Sequence, residues 1–221
     1  MFFRRFVSIF VSPTKVFDDI RDSKVGWWQP WLMVSILFVI GSFLMIPANQ
    51  AVMALNPKMT PEMVEKAKAF AYMPLIITPV MCLIIGLLAS GVSYPVVTMQ
   101  SKEATFKKFF TLVLFSNLIF SLGYLITAIL VRAKGTDSIQ SAEDLKLSFS
   151  LRMLATEAPP VLRGLLGSIE FFSLWGLALV VLGLKRMFNL RTGQAIACVI
   201  PMWIIYVLLS ILGEIAPTFG G

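Results

Sequence analysis

Between Lys24 and Lys58, and again between Lys68 and Lys102, the chain runs for 33 residues without a charged side chain. No soluble domain of 221 residues needs two such stretches; at this length they mark membrane spans. Three more follow: Phe109 to Val131, Gly164 to Leu184 with the single acid Glu170, and Thr192 to Gly213. A helix needs roughly 20 apolar residues to cross a hydrocarbon core of about 30 Å, and any other backbone would leave amides unpaired in lipid. The fold class is therefore all-α: a polytopic helical membrane protein. Its five transmembrane helices are expected near 29–54, 74–99, 109–131, 162–184 and 194–213, followed by an external tail at 214–221.

Composition supports that reading and limits the partners. Apolar residues make up 57% and charged residues 14%, with 18 Phe and 12 Met suited to lipid-facing and helix-packing surfaces. Cys82 and Cys198 fall inside the second and fifth spans, where they read as small packing residues rather than a disulfide. The net charge of +7 would suit nucleic acid, but the basic residues sort by membrane side instead. Eleven lie before the first span or in the second and fourth connections; the other eight are spread over longer loops beside six acids. The positive-inside rule then puts the N-terminus in the cytoplasm and the C-terminus outside, on opposite sides as five spans require. The N-terminus has positive charge and a short apolar run, but no small-residue cleavage site, and Pro13 and Asp18 follow at once. It is expected to be retained.

Residues 1–28 read as a cytoplasmic interfacial segment. Phe2, Phe3, Phe6, Ile9 and Phe10, interleaved with Arg4, Arg5 and Ser8, predict a short amphipathic helix on the inner leaflet. Ser12 and Pro13 open a second helix, with Val16, Phe17 and Ile20 on one face and Asp18, Asp19 and Asp22 on the other. Trp27, Trp28 and Trp31 then fall where an aromatic belt belongs. Pro47 predicts a bend or an end in the first span, and Pro74, Pro79 and Pro95 predict a broken second one. In the third connection, Ser141 and Asp144 resemble a capping box opening an amphipathic run through Leu147, Leu151 and Leu154, closed by Pro159 and Pro160.

The segment SPTKVFDDI (12–20) precedes an aromatic-rich first span, TFKKFFTLVLFSNL (105–118) enters the third, and SLWGLALVVLGLKRMFNLRTGQAIACVI (173–200) links the fourth and fifth. Together they resemble the YIP (Ypt/Rab-interacting protein) family of small five-span membrane proteins, in particular its bacterial branch. The likeness covers nearly the whole chain. It is sharpest at Trp175, Gly183 and Leu184 and at the Gly193, Gln194 and Ala195 that follow the basic turn. The resemblance implies a five-helix membrane domain and, from the eukaryotic members, an adaptor role in vesicle traffic and membrane shaping. Some of those members bind prenylated small GTPases; with only about 28 residues before the first span, that activity is not carried over.

Enzymatic readings fall largely by subtraction. The chain has no histidine, which removes Ser-His pairs, HExxH zinc sites and the usual haem ligation. It has no GxSxG, no Gly-rich phosphate loop and no paired intramembrane aspartates. No catalytic residue, metal site or cofactor is expected. Glu170 is the residue that asks for a partner, since a carboxylate within a span costs about 2.5 kcal/mol or more. Counting inward from the outer ends places Tyr124 and Tyr206 at its depth, while Arg163, seven residues earlier, offers a countercharge. Glu170 is then either a proton or cation site or a structural hydrogen-bonder. Asn117 reads as interhelical glue. Arg4, Arg5, Lys107, Lys108, Lys185, Arg186 and Arg191 read as contacts to anionic lipid or as topology determinants. Two functions stay open. One is a non-enzymatic adaptor presenting a basic face to membrane lipids, a membrane protein partner or a homo-oligomer; the other is a small transporter or channel component built on Glu170.

Overall fold

The structure, a computed structural model, describes residues 2–56, 59–145, 149–155 and 157–215. Among them the chain forms helices α1 (Phe2–Val11), α2 (Pro13–Arg21), α3 (Trp28–Leu55), α4 (Pro61–Ala69), α5 (Met73–Gln100), α6 (Phe106–Lys134), α7 (Pro160–Gly167), α8 (Phe171–Phe188) and α9 (Thr192–Ile215). Five of these, α3, α5, α6, α8 and α9, are long and apolar enough to cross a membrane. The protein is an integral membrane protein. The tail beyond Ile215 and Leu147 lie outside the described residues.

Helix α6 is the centre of the bundle. Its Phe109, Leu112, Leu114, Phe115, Leu118 and Ile119 are fully buried, and α3, α5 and α8 pack on it while α9 lies against α5 and α8. Each membrane helix packed on α6 offers a glycine at the contact: Gly41 of α3 faces Tyr124, Gly86 of α5 faces Leu114, and Gly183 of α8 faces Leu112. Lipid tails are as apolar as leucine, so close packing of this kind drives helix association in a membrane more than burial does.

Proline interrupts less than its position in the sequence suggests. Pro47 sits inside α3, which runs on to Leu55, and Pro79 and Pro95 sit inside an α5 unbroken from Met73 to Gln100. The expected broken second helix is thus a continuous one. Transmembrane helices tolerate proline because neighbouring helices and side chains satisfy the freed backbone groups. Here the Trp31 indole donates to the Pro79 carbonyl at 2.9 Å. Trp31 therefore faces protein, as does Trp27, whose ring lies 6.1 Å from Phe110, whereas Trp28 is exposed.

The fourth apolar stretch departs furthest from expectation. In place of one span over 162–184, α7 ends at Gly167 and α8 begins at Phe171. The three residues between would strand backbone groups, and the third connection supplies the partners. Leu151 donates its amide to Ile169 O, and Phe171 donates to Phe149 O, both at 3.1 Å, a two-bond bridge between Ser150 and Glu170. That use of residues 149–151 explains why no amphipathic helix forms there. Asp144 does accept from the Gln140 and Ser141 amides at 2.9 and 2.8 Å, but among the described residues 3₁₀ turns follow, at Ala142–Leu145 and Leu151–Leu154.

The N-terminal helices dock on the bundle. Val16, Phe17 and Ile20 of α2 are buried against α6 and α8, so its apolar face meets protein, and the Ser12 side chain makes no cap bond. Helix α1 turns Phe6, Ile9 and Phe10 inward, with Phe10 reaching 6.2 Å from the ring of Trp175, and leaves Phe3, Val7 and Val11 exposed.

Close approach of α7 and α9 gives a direct test. A methyl added at Gly164 would sit 2.5 Å from the Ile211 Cα, a backbone atom that cannot swing aside. Gly164→Ala should lower stability by about 1–3 kcal/mol, read as a fall in the thermal unfolding midpoint in detergent. Gly91→Ala, with nothing within 4 Å, should match or slightly exceed the parent. Equal midpoints for the two variants would mean that α7 does not seat on α9 as described.

Candidate functional site

Positive charge gathers at the end of the bundle where α6 starts and α8 stops. Two of the arginines there are tied into the protein. Arg186, in the last turn of α8, donates through Nε and Nη2 to both carboxylate oxygens of Asp18, each at 2.9 Å. Arg5 donates to Asp19 at 2.8 Å, to Gln29 Oε1 at 3.2 Å and to the Lys24 carbonyl at 3.3 Å, with only 13% of its side chain exposed. Forked arginine bonds of this sort fix orientation as well as charge. The hydrogen bond from Arg186 holds the Asp18 carboxyl below the usual range. The α2 acids Asp18 and Asp19, assigned from sequence to an outward polar face, thus clamp α1 and α2 to the bundle, and Arg5 and Arg186 are engaged within the chain.

Arg21 and Lys24 pair with the α2 acids as well, and five other basic residues of this end are open. Arg4, Lys107 and Arg191 are exposed and Lys108 and Lys185 half-buried, and among the described residues no ion pair engages any of the five. The turn between α8 and α9 is built for its sequence. Asn189 adopts a left-handed conformation (φ 52°) that stops α8, a role asparagine fills more readily than most residues. Gln194 then accepts from the Arg191 amide at 2.9 Å, the reciprocal half of a capping box, and α9 begins.

At the opposite end the structure brings together only part of the expected set. Glu170 is not inside a span: it occupies the N-cap position of α8. Ser173 donates to its Oε2 at 2.8 Å, and the Tyr206 hydroxyl lies 3.1 Å from Ser173 and 3.5 Å from the same carboxylate oxygen. A serine has one proton to give, so the geometry makes a chain in which Tyr206 donates to Ser173 and Ser173 to Glu170. Tyr124 belongs elsewhere, 3.4 Å from Ser42 of α3. Asn117 is half-buried in mid-α6 and makes no side-chain hydrogen bond among the described residues.

The family model of the Yip1 domain matches residues 7–213. The chain belongs to the Yip1 domain family. No curated protein and no solved structure matches it. Placed on the Yip1 domain, the segments that carried the resemblance are its joints: SPTKVFDDI is the clamp helix α2, and LKRMFNLRTGQ is the end of α8, the Asn189 stop and the start of α9.

Sequence reasoning missed the strongest electrostatic feature of the Yip1 domain's other end. Glu214, read from sequence as a tail residue, lies near the end of α9 with 11% of its side chain exposed. Arg152 approaches its carboxylate at 3.1 and 3.2 Å and Arg163 at 3.5 Å. Arg163 therefore serves Glu214, not Glu170. The spacing Tyr206, Ser210, Glu214 held the signal, since i, i+4 positions share a helix face. Ser210 completes the series by donating to Gly164 O at 2.8 Å.

Glu214→Gln keeps the shape of the acid but removes its negative charge from beside Arg152 and Arg163, both largely buried, which should cost about 3 kcal/mol. The measurement is thermal unfolding in detergent, paired with proteolysis of the third connection. A Gln variant with parental stability and an unchanged cleavage pattern would mean that the triad does not hold α9 to that loop.

Proposed function

We propose that this Yip1 domain protein is a non-enzymatic membrane adaptor or membrane-organising protein of the bacterial branch, with its N-terminus in the cytoplasm and its C-terminus outside. Its basic end is the cytoplasmic face, offered to anionic lipid or to a protein partner. The observation that carries this reading is the division of labour among the basic residues. Asp18 and Asp19 lock Arg186 and Arg5 against the bundle, while Arg4, Lys107, Lys108, Lys185 and Arg191 keep their charge for something outside the chain. Each such charge near an anionic surface is worth about 1 kcal/mol of attraction. Helix α1 adds an interfacial element of its own, since the exposed Phe3, Val7 and Val11 recur at i, i+4 and i+8 beside Arg4.

Glu170 fits this reading as a structural acid. Its carboxylate is tied to Ser173 and Tyr206, and Asn117, the other deep polar side chain, is not joined to it, so no polar path leads on from Glu170 towards the basic end among the described residues.

Orientation is tested by cysteine labelling with an impermeant reagent: Ser138→Cys should react from outside in intact cells and Thr192→Cys only after lysis, and the reverse pattern would overturn the assignment. The transport alternative is tested by Glu170→Gln and Glu170→Leu side by side in liposomes. An adaptor gives no proton or cation flux in the parent and a stability loss of about 1 kcal/mol for Leu alone. Flux in the parent that Gln abolishes would replace the adaptor with a transporter.

A further inference from the structure

The loop between α2 and α3 and the first turns of α6 enclose a cavity of about 120 Å³ at the basic end, lined by Ser23, Lys24, Gly26, Lys107, Lys108 and Thr111 among others. Three lysines line this one small cavity, and Lys24 donates to Asp22 at 2.8 Å. Lys107 and Lys108 have no ion pair among the described residues. They also stand in the first turn of a 29-residue helix with no acid in that turn and no side-chain bond from its cap residue Thr105. Cations at the positive end of a helix dipole are unfavourable, and most helices place acids there. The same sequence could have set topology with lysines anywhere on this side, so their convergence on a cavity at a helix start is a local conflict of the sort that accompanies a binding site. Ser23 adds a hydroxyl with no hydrogen bond of its own among the described residues, held by a left-handed backbone at φ 58°. Thr111 contributes no donor, since its hydroxyl is given to Lys107 O at 2.7 Å.

We propose that this cavity is a phosphate-binding site, formed by Lys24, Lys107, Lys108 and the Ser23 hydroxyl, that takes the phosphate of an anionic lipid headgroup. It rests on the reading of the basic end as a lipid-facing surface, and narrows that surface to one pocket. A phosphate seated there would neutralise the lysines, complete the start of α6, and bridge it to the α2–α3 loop. The lipid would thereby fasten the docked N-terminal helices to the bundle.

The test uses the full-length protein in nanodiscs of phosphatidylcholine with or without phosphatidic acid, reading retained lipid by native mass spectrometry and the thermal unfolding midpoint in parallel. Lys24→Gln, Lys107→Gln and Lys108→Gln should each lower phosphatidic acid retention about fivefold and remove the accompanying rise in midpoint. Lys15→Gln and Lys102→Gln, equal in charge change but off the cavity, should retain parental binding, and Lys107→Arg with Lys108→Arg should restore it. Inorganic phosphate added to phosphatidylcholine nanodiscs separates the sources. No rise in midpoint from the free ion assigns the site to a headgroup, whereas a rise from phosphate with none from phosphatidic acid overturns the lipid assignment. Loss of retention in Lys15→Gln or Lys102→Gln as large as in the cavity variants would overturn the pocket and leave the diffuse basic face standing. A parent with no preference for phosphatidic acid would overturn both.

Discussion

In a bilayer, a helix gains nothing by exchanging lipid for another helix's leucines, so an assembly of spans depends on how closely backbones can approach. Helix α6 meets that constraint for the whole molecule. Glycines 41, 86 and 183 let α3, α5 and α8 settle against it, and its own inward residues are fully buried over much of its length. The outer helix α5 shows the opposite pattern, with Ile76, Leu88 and Met99 exposed as lipid-facing side chains should be. Even α5, which packs on α6 through Gly86, keeps much of its surface for lipid.

Charge then completes what packing begins, and it does so only at the two ends. Asp18 with Arg186 and Asp19 with Arg5 fasten the N-terminal helices at one end, while Glu214 with Arg152 and Arg163 fastens the third connection and α7 at the other. Asp18 and Arg186 are 168 residues apart and Arg152 and Glu214 62, whereas Asp19 and Arg5, 14 apart, tie α2 to α1. Between the locks the described residues contain no ion pair, which suits an apolar layer where an unmatched charge is expensive.

What the sequence made legible was whatever the bilayer itself dictates. Apolar length announced five spans, though the fourth begins at Phe171 and not at 162, and the Asn189 to Gln194 turn was visible within the best-matched part of the family likeness. What it hid depended on partners distant along the chain. Pro79 looked like a break because its acceptor relation with Trp31 is 48 residues away, and α2 looked interfacial because a face built for protein and a face built for lipid have the same composition. Glu214 looked like a tail residue because nothing local announces that two arginines, 51 and 62 residues upstream, converge on it. Leu151 and Leu154 kept helical spacing, but the break before α8 claimed residues 149–151 as backbone partners.

That break also resolves the problem that Glu170 poses. A carboxylate inside a continuous fourth span would need a countercharge at depth, and Arg163 lies at the outer edge of 162–184 and serves Glu214 instead. Ending α7 at Gly167 and starting α8 at Phe171 moves the acid to a helix N-terminus instead. There the dipole of α8 favours negative charge, Ser173 in the first turn donates to it, and Tyr206 supports Ser173 from α9. The remaining α8 has 18 residues, about 27 Å, close to the thickness of a hydrocarbon core. A single interruption therefore sets the length of the fourth span, gives its one acid a favourable field, and opens the backbone groups that the third connection closes.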